Sequence, residues 1–281
     1  MENTSNYHPS PYRLNNIWII CRFELSRLFL TPRGLVAILT FMVIWYFIFK
    51  YPIDFSSKLL AMDEFKKNVS QMFGIIGLKN VLGWSAPEYS LYWIIALYSF
   101  PIFTLLFSAD QTSSDRDRGT LRFLTLRTSR ESLFFGRFLG QVFIQFILIL
   151  GTLMTTFLMS IYRDSSSFNN AISSSFIIAI NLLIIILPFT AFMALLSASL
   201  RSRIMTIMLA IILWGGSTAL LSWSPFDWLS FSFLKEWIPG TQRIDLIQTN
   251  GWETLNFAAY PLLQTIIFLF AGVHIMRRNA L

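Results

Sequence analysis

The sequence predicts an all-α integral membrane protein with six transmembrane helices and an N-terminal amphipathic helix ahead of the first span. The 281-residue chain is 54% hydrophobic and only 13% charged, and its 28 Phe residues are more than a soluble domain of this length would carry. The apolar residues also lie in long blocks, a pattern typical of helices that cross a bilayer. Composition therefore excludes an ordinary soluble domain.

Six apolar blocks are long enough, or nearly long enough, to span a membrane. The first is the shortest, and the fourth is long enough to tilt or break. Pro101, Pro188 and Pro261 fall inside the second, fourth and sixth blocks, and we expect each to kink its helix because it removes a backbone donor. The predicted spans are residues 34–49, 91–109, 138–161, 172–199, 204–222 and 257–276.

The segment before the first span is predicted to be an amphipathic helix lying in the membrane interface. Its apolar residues recur at helical spacing on one stripe, with Arg22 and Glu24 beside the stripe and Arg27 away from it. Ile19 and Phe23 lie on the opposite side, which indicates that something else packs there. The stripe consists of Leu14, Ile17, Trp18, Cys21, Leu25, Leu28 and Phe29.

The distribution of basic residues predicts the orientation. With six spans, both termini lie on one side, and that side carries 14 of the 22 basic residues, all of them Arg. The other side carries the remaining eight together with nine acidic residues. The Arg-rich side is therefore predicted to be cytoplasmic, and this bias explains the net charge of +7 without a nucleic-acid partner.

This topology divides the chain into a cytoplasmic N-terminus, residues 1–33, and a six-span transmembrane domain, residues 34–281. Residues 51–90 and 223–256 form outer segments, and we expect the Trp-rich second segment to anchor in the outer interface. Residues 110–137, which we call the arginine-rich segment, form a cytoplasmic loop between the second and third spans.

Chemistry within the spans is sparse. No Asp, Glu, Lys or Arg lies deep in a predicted span, which argues against an ion-coupled carrier. The sequence has no phosphate-binding loop, since no Gly is followed by Lys, and no zinc motif. Cys21 is the only cysteine, so no internal disulfide can form. The polar residues within the spans, which we expect to hydrogen-bond between helices, are Gln141, Gln145, Asn181 and Gln264.

The arginine-rich segment carries the most informative motif. It reads Asp117-Arg118-Gly119-Thr120-Leu121-Arg122-Phe123-Leu124, then Ser129-Arg130-Glu131 and Gly136-Arg137. This run resembles the loop between the second and third spans of type-2 ABC (ATP-binding cassette) transporter permeases. The N-terminal Arg22-Phe23-Glu24-Leu25 ahead of Pro32-Arg33-Gly34 is similar to the elbow helix of that family. Arg127 and Arg137 depart from the Pro and Lys that are common there, and the acidic stretch is diluted.

The resemblance implies the permease subunit of an exporter in the bacterial cytoplasmic membrane, driven by separate subunits that hydrolyse ATP. It implies two ATPase subunits, which would hold the ATP and Mg, and a second permease copy or paralogue; this chain would bind no cofactor or metal and have no catalytic residue. The implied elbow-helix residues are Arg22, Glu24 and Arg27. The implied contact with the ATPase consists of Asp115, Asp117, Gly119, Thr120, Leu121, Phe123, Arg127, Arg130 and Arg137.

Three alternatives stay open at this stage. The chain could transmit the work of an ATPase to an extracytoplasmic partner without transporting anything itself. A secondary carrier and a membrane-embedded enzyme are disfavoured by the lack of deep ionisable groups and of nucleophile or metal motifs. The uncharged, Phe-rich spans favour an amphipathic or lipid-like cargo, but lipid-facing residues would have the same composition.

Overall fold

The computed structural model describes residues 14–60, 62, 68, 83–222 and 237–278. Within these ranges every regular element is a helix. The predicted all-α class is therefore confirmed. The α-helices are α1 (Leu14–Leu30), α2 (Pro32–Ile48), α3 (Asp54–Leu60), α4 (Pro87–Phe107), α5 (Ser113–Asp117), α6 (Leu121–Arg127), α7 (Arg130–Arg163), α8 (Phe168–Ser199), α9 (Arg203–Ser222), α10 (Arg243–Gln248) and α11 (Ala259–Arg278).

The corner between α1 and α2 is fixed by local chemistry. The Thr31 hydroxyl accepts a hydrogen bond from the Gly34 backbone N–H at 3.2 Å. Pro32 lies in the first turn of α2, where its missing N–H breaks no intrahelical hydrogen bond. A Cβ at Gly34 would lie 2.1 Å from the Leu28 carbonyl oxygen. Only glycine therefore allows α1 to turn this sharply into α2.

Helix α8 lies at the centre of the bundle. It packs against α4, α7, α9 and α11, and it is apolar on all sides, as a buried helix requires. The main core is rich in aromatic side chains from α4 and α8, including the fully buried Tyr92, Trp93, Phe100 and Phe189. Helix α1 lies along α7 at the edge of this bundle.

Five helical stretches in the described part are long and apolar enough to cross a membrane: Pro32–Leu60, Pro87–Asp117, Arg130–Arg163, Phe168–Ser199 and Ala259–Arg278. They correspond to the first four predicted spans and the sixth. The remaining predicted span coincides with α9, whose apolar stretch, Arg203–Ala219, is shorter. The chain is thus a multi-span helical protein, and the count of six remains a prediction.

The prolines divide into two kinds. Pro101 and Pro188 lie inside α4 and α8, as the sequence predicts. Pro261 is the third residue of α11 and not part of a helix interior. The predicted kink at Pro261 is wrong, because a backbone N–H in the first turn has no intrahelical acceptor to lose.

The described part of the second predicted outer segment packs partly against the core of the bundle. Residues 223–236 lie outside the described residues, but α10 inserts Leu246 and Ile247 into the main core. The Trp93 indole donates to the Leu246 carbonyl at 3.0 Å, and the Trp214 indole donates to the Pro239 carbonyl at 2.9 Å. The described part of this segment is therefore held by α4 and α9, because the buried indole of Trp93 and the half-buried indole of Trp214 need acceptors, which the backbone of the segment supplies.

Candidate functional site

The arginine-rich segment folds into two short helices at one end of the bundle. Helix α5 ends at a turn in which Gly119 has φ 70°, a left-handed conformation that glycine adopts without steric cost. Helix α6 follows. The Ser129 hydroxyl then caps α7 by accepting a hydrogen bond from the Ser132 backbone at 3.1 Å. The turn at Gly119 is open, with no atom within 4 Å of where a Cβ would be.

Helix α6 has two apolar faces with different surroundings. Leu121 is only 2% exposed and packs in a small core with Leu133 and Phe134. Phe123 and Leu126 point the other way and are 72% and 83% exposed. These apolar residues of α6 therefore have different roles: Leu121 attaches α6 to the bundle, and Phe123 and Leu126 remain mostly uncovered within the described structure.

A buried arginine joins the segment to α7 and α1. Arg137 donates hydrogen bonds to the Gln111 backbone carbonyl and to the Asp115 carboxylate. Its Nε atom also lies 3.8 Å from Oε1 of Glu24 in α1, close enough for an ion pair but too far for a hydrogen bond. A buried arginine is tolerated when acceptors surround it, and removing one would leave a charge uncompensated.

A second arginine completes this network from the α1 side. Arg27 lies 3.6 Å from Oε1 of Glu24 and 3.6 Å from Oδ2 of Asp110, and it donates to the Asp110 carbonyl at 3.1 Å. Burial raises the pKa of the Glu24 carboxyl above its ordinary value, while Arg27 and Arg137 oppose this effect. Residues from α1 and the arginine-rich segment therefore share one charged cluster.

Two glycines of α7 let α1 come this close. A Cβ at Gly136 would lie 2.8 Å from Cβ of Ile20, and one at Gly140 would lie 2.7 Å from Cβ of Glu24. The buried face of α1 therefore contains Cys21 and Glu24, whereas Trp18 on the predicted stripe is exposed. The predicted stripe is therefore divided, because close packing against α7 covers Cys21 and leaves Trp18 uncovered.

Two further contacts connect the segment to the ends of other helices. Arg116 donates to the Ala198 carbonyl at 2.6 Å, in the last turn of α8. Arg130 donates to the Met276 and Arg277 carbonyls at 3.2 Å, in the last turn of α11, and Glu131 pairs with Arg277. Carbonyls at helix ends lack intrahelical donors, so they are natural acceptors for arginine.

The residues that the resemblance implies occupy different places in this arrangement. Arg137, Asp115, Arg130, Glu24 and Arg27 make the contacts just described, and Thr120 donates to Asp115 at 3.1 Å. The exposed members of the set are Arg22, Asp117, Gly119, Thr120, Phe123 and Arg127, and Leu121 is buried.

Sequence reasoning missed Gln111, Arg116 and Gly140 as parts of this site, and it included Gly136 only as part of the loop motif, with no packing role. A signal existed for the glycines, since Gly136 and Gly140 are four residues apart and small residues at that spacing allow close helix packing in membranes. The backbone acceptor at Gln111 has no sequence signal. Among the described residues, no three His, Cys, Asp or Glu side chains come together as metal ligands.

Fold and site together define a multi-pass helical membrane protein with a charged, partly apolar surface at one end of the bundle. The sequence model described as ABC-2 family transporter protein matches residues 19–223, which is more than two thirds of the chain. The chain belongs to this family and is an ABC transporter permease, as its motifs predict. Permeases of this family are membrane subunits that work with ABC ATPase subunits. No individual curated protein gives a significant match.

Proposed function

We propose that this chain is the transmembrane subunit of an exporter, driven by two separate ATPase subunits that dock on α5 and α6. The ATPase subunits would bind ATP and Mg, and a second permease copy or paralogue would complete the pathway. The spans number six, α1 is the elbow helix, and both termini face the cytoplasm of a bacterial cell. The Arg bias toward that side supports this orientation.

The observation that carries the proposal is the exposed apolar face of α6. Phe123 and Leu126 follow Arg122 and precede Arg127 in the sequence, and the described residues leave most of each side chain uncovered. Large apolar side chains outside the bilayer favour contact with another protein. The open turn at Gly119 lets a partner backbone approach α5 and α6 closely.

The contacts of the arginine-rich segment could transmit a movement of the ATPase to the spans. A displacement of α6 would be passed to α7 through Leu121, to α8 through Arg116 and to α11 through Arg130. It would reach α1 through the Glu24–Arg137 cluster. ATP binding moves the spans only if it favours one arrangement of these contacts over another.

A substitution on α6 tests the proposal. Phe123→Asp should reduce recovery of the ATPase by roughly tenfold or more, because burying a Phe contributes about 1.5–3 kcal/mol and an unpaired buried carboxylate opposes binding. Co-purification is measured against the amount of permease in the membrane, together with transport-linked ATPase activity.

The matched control is Tyr162→Asp, which puts the same charge on an almost fully exposed aromatic residue at the other end of α7. This control should bind the ATPase normally. If Phe123→Asp also forms the complex and supports normal turnover, α6 is not the docking surface.

A further inference from the structure

A large cavity opens at the same end of the bundle. Its volume is about 760 Å³, and its walls come from α1, the start of α2, the end of α4, the arginine-rich segment, the first half of α7 and the start of α9. Ile19 and Phe23 of α1 line it, together with Ala37 of α2 and Phe107 of α4. Ile19 and Phe23 are the apolar residues that do not fit the amphipathic pattern of α1, and both remain exposed. The cavity therefore has an apolar wall of its own.

The cavity is lined by more arginines than carboxylates. Glu24, Asp110 and Asp115 line it, but each lies within ion-pair distance of Arg27 or Arg137. Four further arginines line it, and among the described residues none of the four has a carboxylate within ion-pair distance: Arg33, Arg118, Arg127 and Arg203. They come from three separate parts of the chain, so folding collects an excess of positive charge at the mouth of an apolar cavity.

We propose that this cavity binds an anionic phospholipid, with the headgroup phosphate against these arginines and part of an acyl chain along the apolar wall. Guanidinium groups pair with phosphate oxygens through charge-assisted hydrogen bonds. Basic pockets between helices at a membrane face are suited to anionic headgroups. A free phosphate ion would leave Ile19, Phe23 and Ala37 uncovered, whereas a lipid uses both the charge and the apolar surface.

The bound lipid would touch parts of the chain that are far apart in sequence. Arg33 lies in the first turn of α2, Arg203 begins α9, and Arg118 and Arg127 belong to the arginine-rich segment. A phosphate held among them would screen their mutual repulsion and connect the first span with the segment. This inference does not depend on the proposed function, because lipid binding can be measured without ATP turnover.

Lipid retention by the full chain tests the inference. The chain, purified with the subunits that it retains, is placed in nanodiscs of phosphatidylglycerol and phosphatidylcholine, and the lipids that remain bound after extraction are counted by native mass spectrometry. Arg33→Gln combined with Arg203→Gln should lower the bound ratio of phosphatidylglycerol to phosphatidylcholine by roughly tenfold or more, since each basic side chain contributes about fivefold.

The matched control is Arg201→Gln combined with Arg278→Gln. Both of these arginines are exposed at the same end of the bundle, but neither lines the cavity. The control should keep the wild-type ratio. Equal losses in the two double variants would show general attraction of anionic lipid to a basic surface, and no loss in the first would show that the cavity arginines bind nothing; both results overturn the proposal.

A third variant tests the apolar wall without changing the charge. Ala37→Trp should fill part of the cavity and also lower phosphatidylglycerol retention, whereas unchanged retention would contradict an acyl chain there. Millimolar inorganic phosphate should fail to displace the lipid. Displacement by phosphate would identify an ion site only and would overturn the proposal.

Discussion

Polar side chains inside the bundle differ in whether their donors and acceptors have hydrogen-bond partners. The predicted bonding between elements is confirmed for Asn181, which donates to the Thr254 hydroxyl at 2.7 Å and to the Ile177 carbonyl at 2.9 Å. Gln145 is completely buried, and neither polar atom of its side chain has a hydrogen-bond partner among the described residues. An unsatisfied buried amide destabilises the protein by about 1–3 kcal/mol.

This difference leads to a prediction at the residue scale. Gln145→Met keeps the side-chain length and removes the unsatisfied groups, so we expect a higher Tm for the detergent-solubilised protein, equivalent to about 1 kcal/mol. Asn181→Leu, the matched control, removes a hydrogen bond that is made and should lower Tm. Thermal unfolding measures both, and a fall in Tm for Gln145→Met similar to that of Asn181→Leu would contradict the prediction.

The Gln145→Met variant also tests whether this side chain contacts the transported substrate. If the side chain only packs, transport should remain normal while stability rises. Loss of transport in a well-folded Gln145→Met protein would instead identify this position as a contact for the substrate.

At the scale of helices, α1 packs closely against α7. The two helices approach because Gly136 and Gly140 leave room for Ile20 and Glu24. This approach is what brings Glu24 within reach of Arg137 and so connects α1 with the arginine-rich segment. The amphipathic pattern predicts that α1 exists, but the glycines of a distant helix select the face that is buried.

We therefore predict opposite effects for two glycines of α7. Gly140→Ala should lower stability by about 1–3 kcal/mol, because its methyl group would lie 2.7 Å from Cβ of Glu24. Gly151→Ala should be neutral or stabilising by up to about 1 kcal/mol, since no atom lies within 4 Å of its new methyl group and Ala favours the helix. Denaturation curves of the two variants give the comparison.

Co-purification of the ATPase with Gly140→Ala measures whether the contact between α1 and α7 also affects docking. Gly140→Ala should also weaken ATPase recovery if α1 and the segment move as one unit. Equal stability of the two variants would show that the spacing between α1 and α7 is not critical.

At the scale of the whole molecule, the orientation in the membrane can be tested with single cysteines. In a Cys21→Ser background, Asp117→Cys and Arg201→Cys should react with an impermeant thiol reagent only from the cytoplasm. Lys58→Cys and Glu253→Cys should react from outside. These sites are exposed, whereas Cys21 is buried.

The labelling also tests the number of spans. If α9 does not cross the membrane, Glu253→Cys and Arg201→Cys should be labelled from the same side. That result would overturn the topology with six spans and both termini inside.

The sequence by itself determined the class of protein and the positions of the main helices. Hydrophobic blocks of sufficient length make helices in a bilayer whatever their neighbours are, because backbone groups must be satisfied within the segment. The motif in the arginine-rich segment is a continuous stretch of sequence, so it indicates the family without any information on packing. Basic residues near span ends likewise act through their position along the chain.

Only the tertiary structure decided which residues meet. Glu24 and Arg137 are separated by more than a hundred positions, and Leu121 and Phe123 differ in burial although both are apolar and two residues apart. Pro261 lies at a helix start because of where α11 begins, and indole donors from α4 and α9 hold the backbone at Leu246 and at Pro239. These contacts depend on the shapes of the packed surfaces and on buried hydrogen bonds between distant segments, so they cannot be predicted from local hydrophobicity.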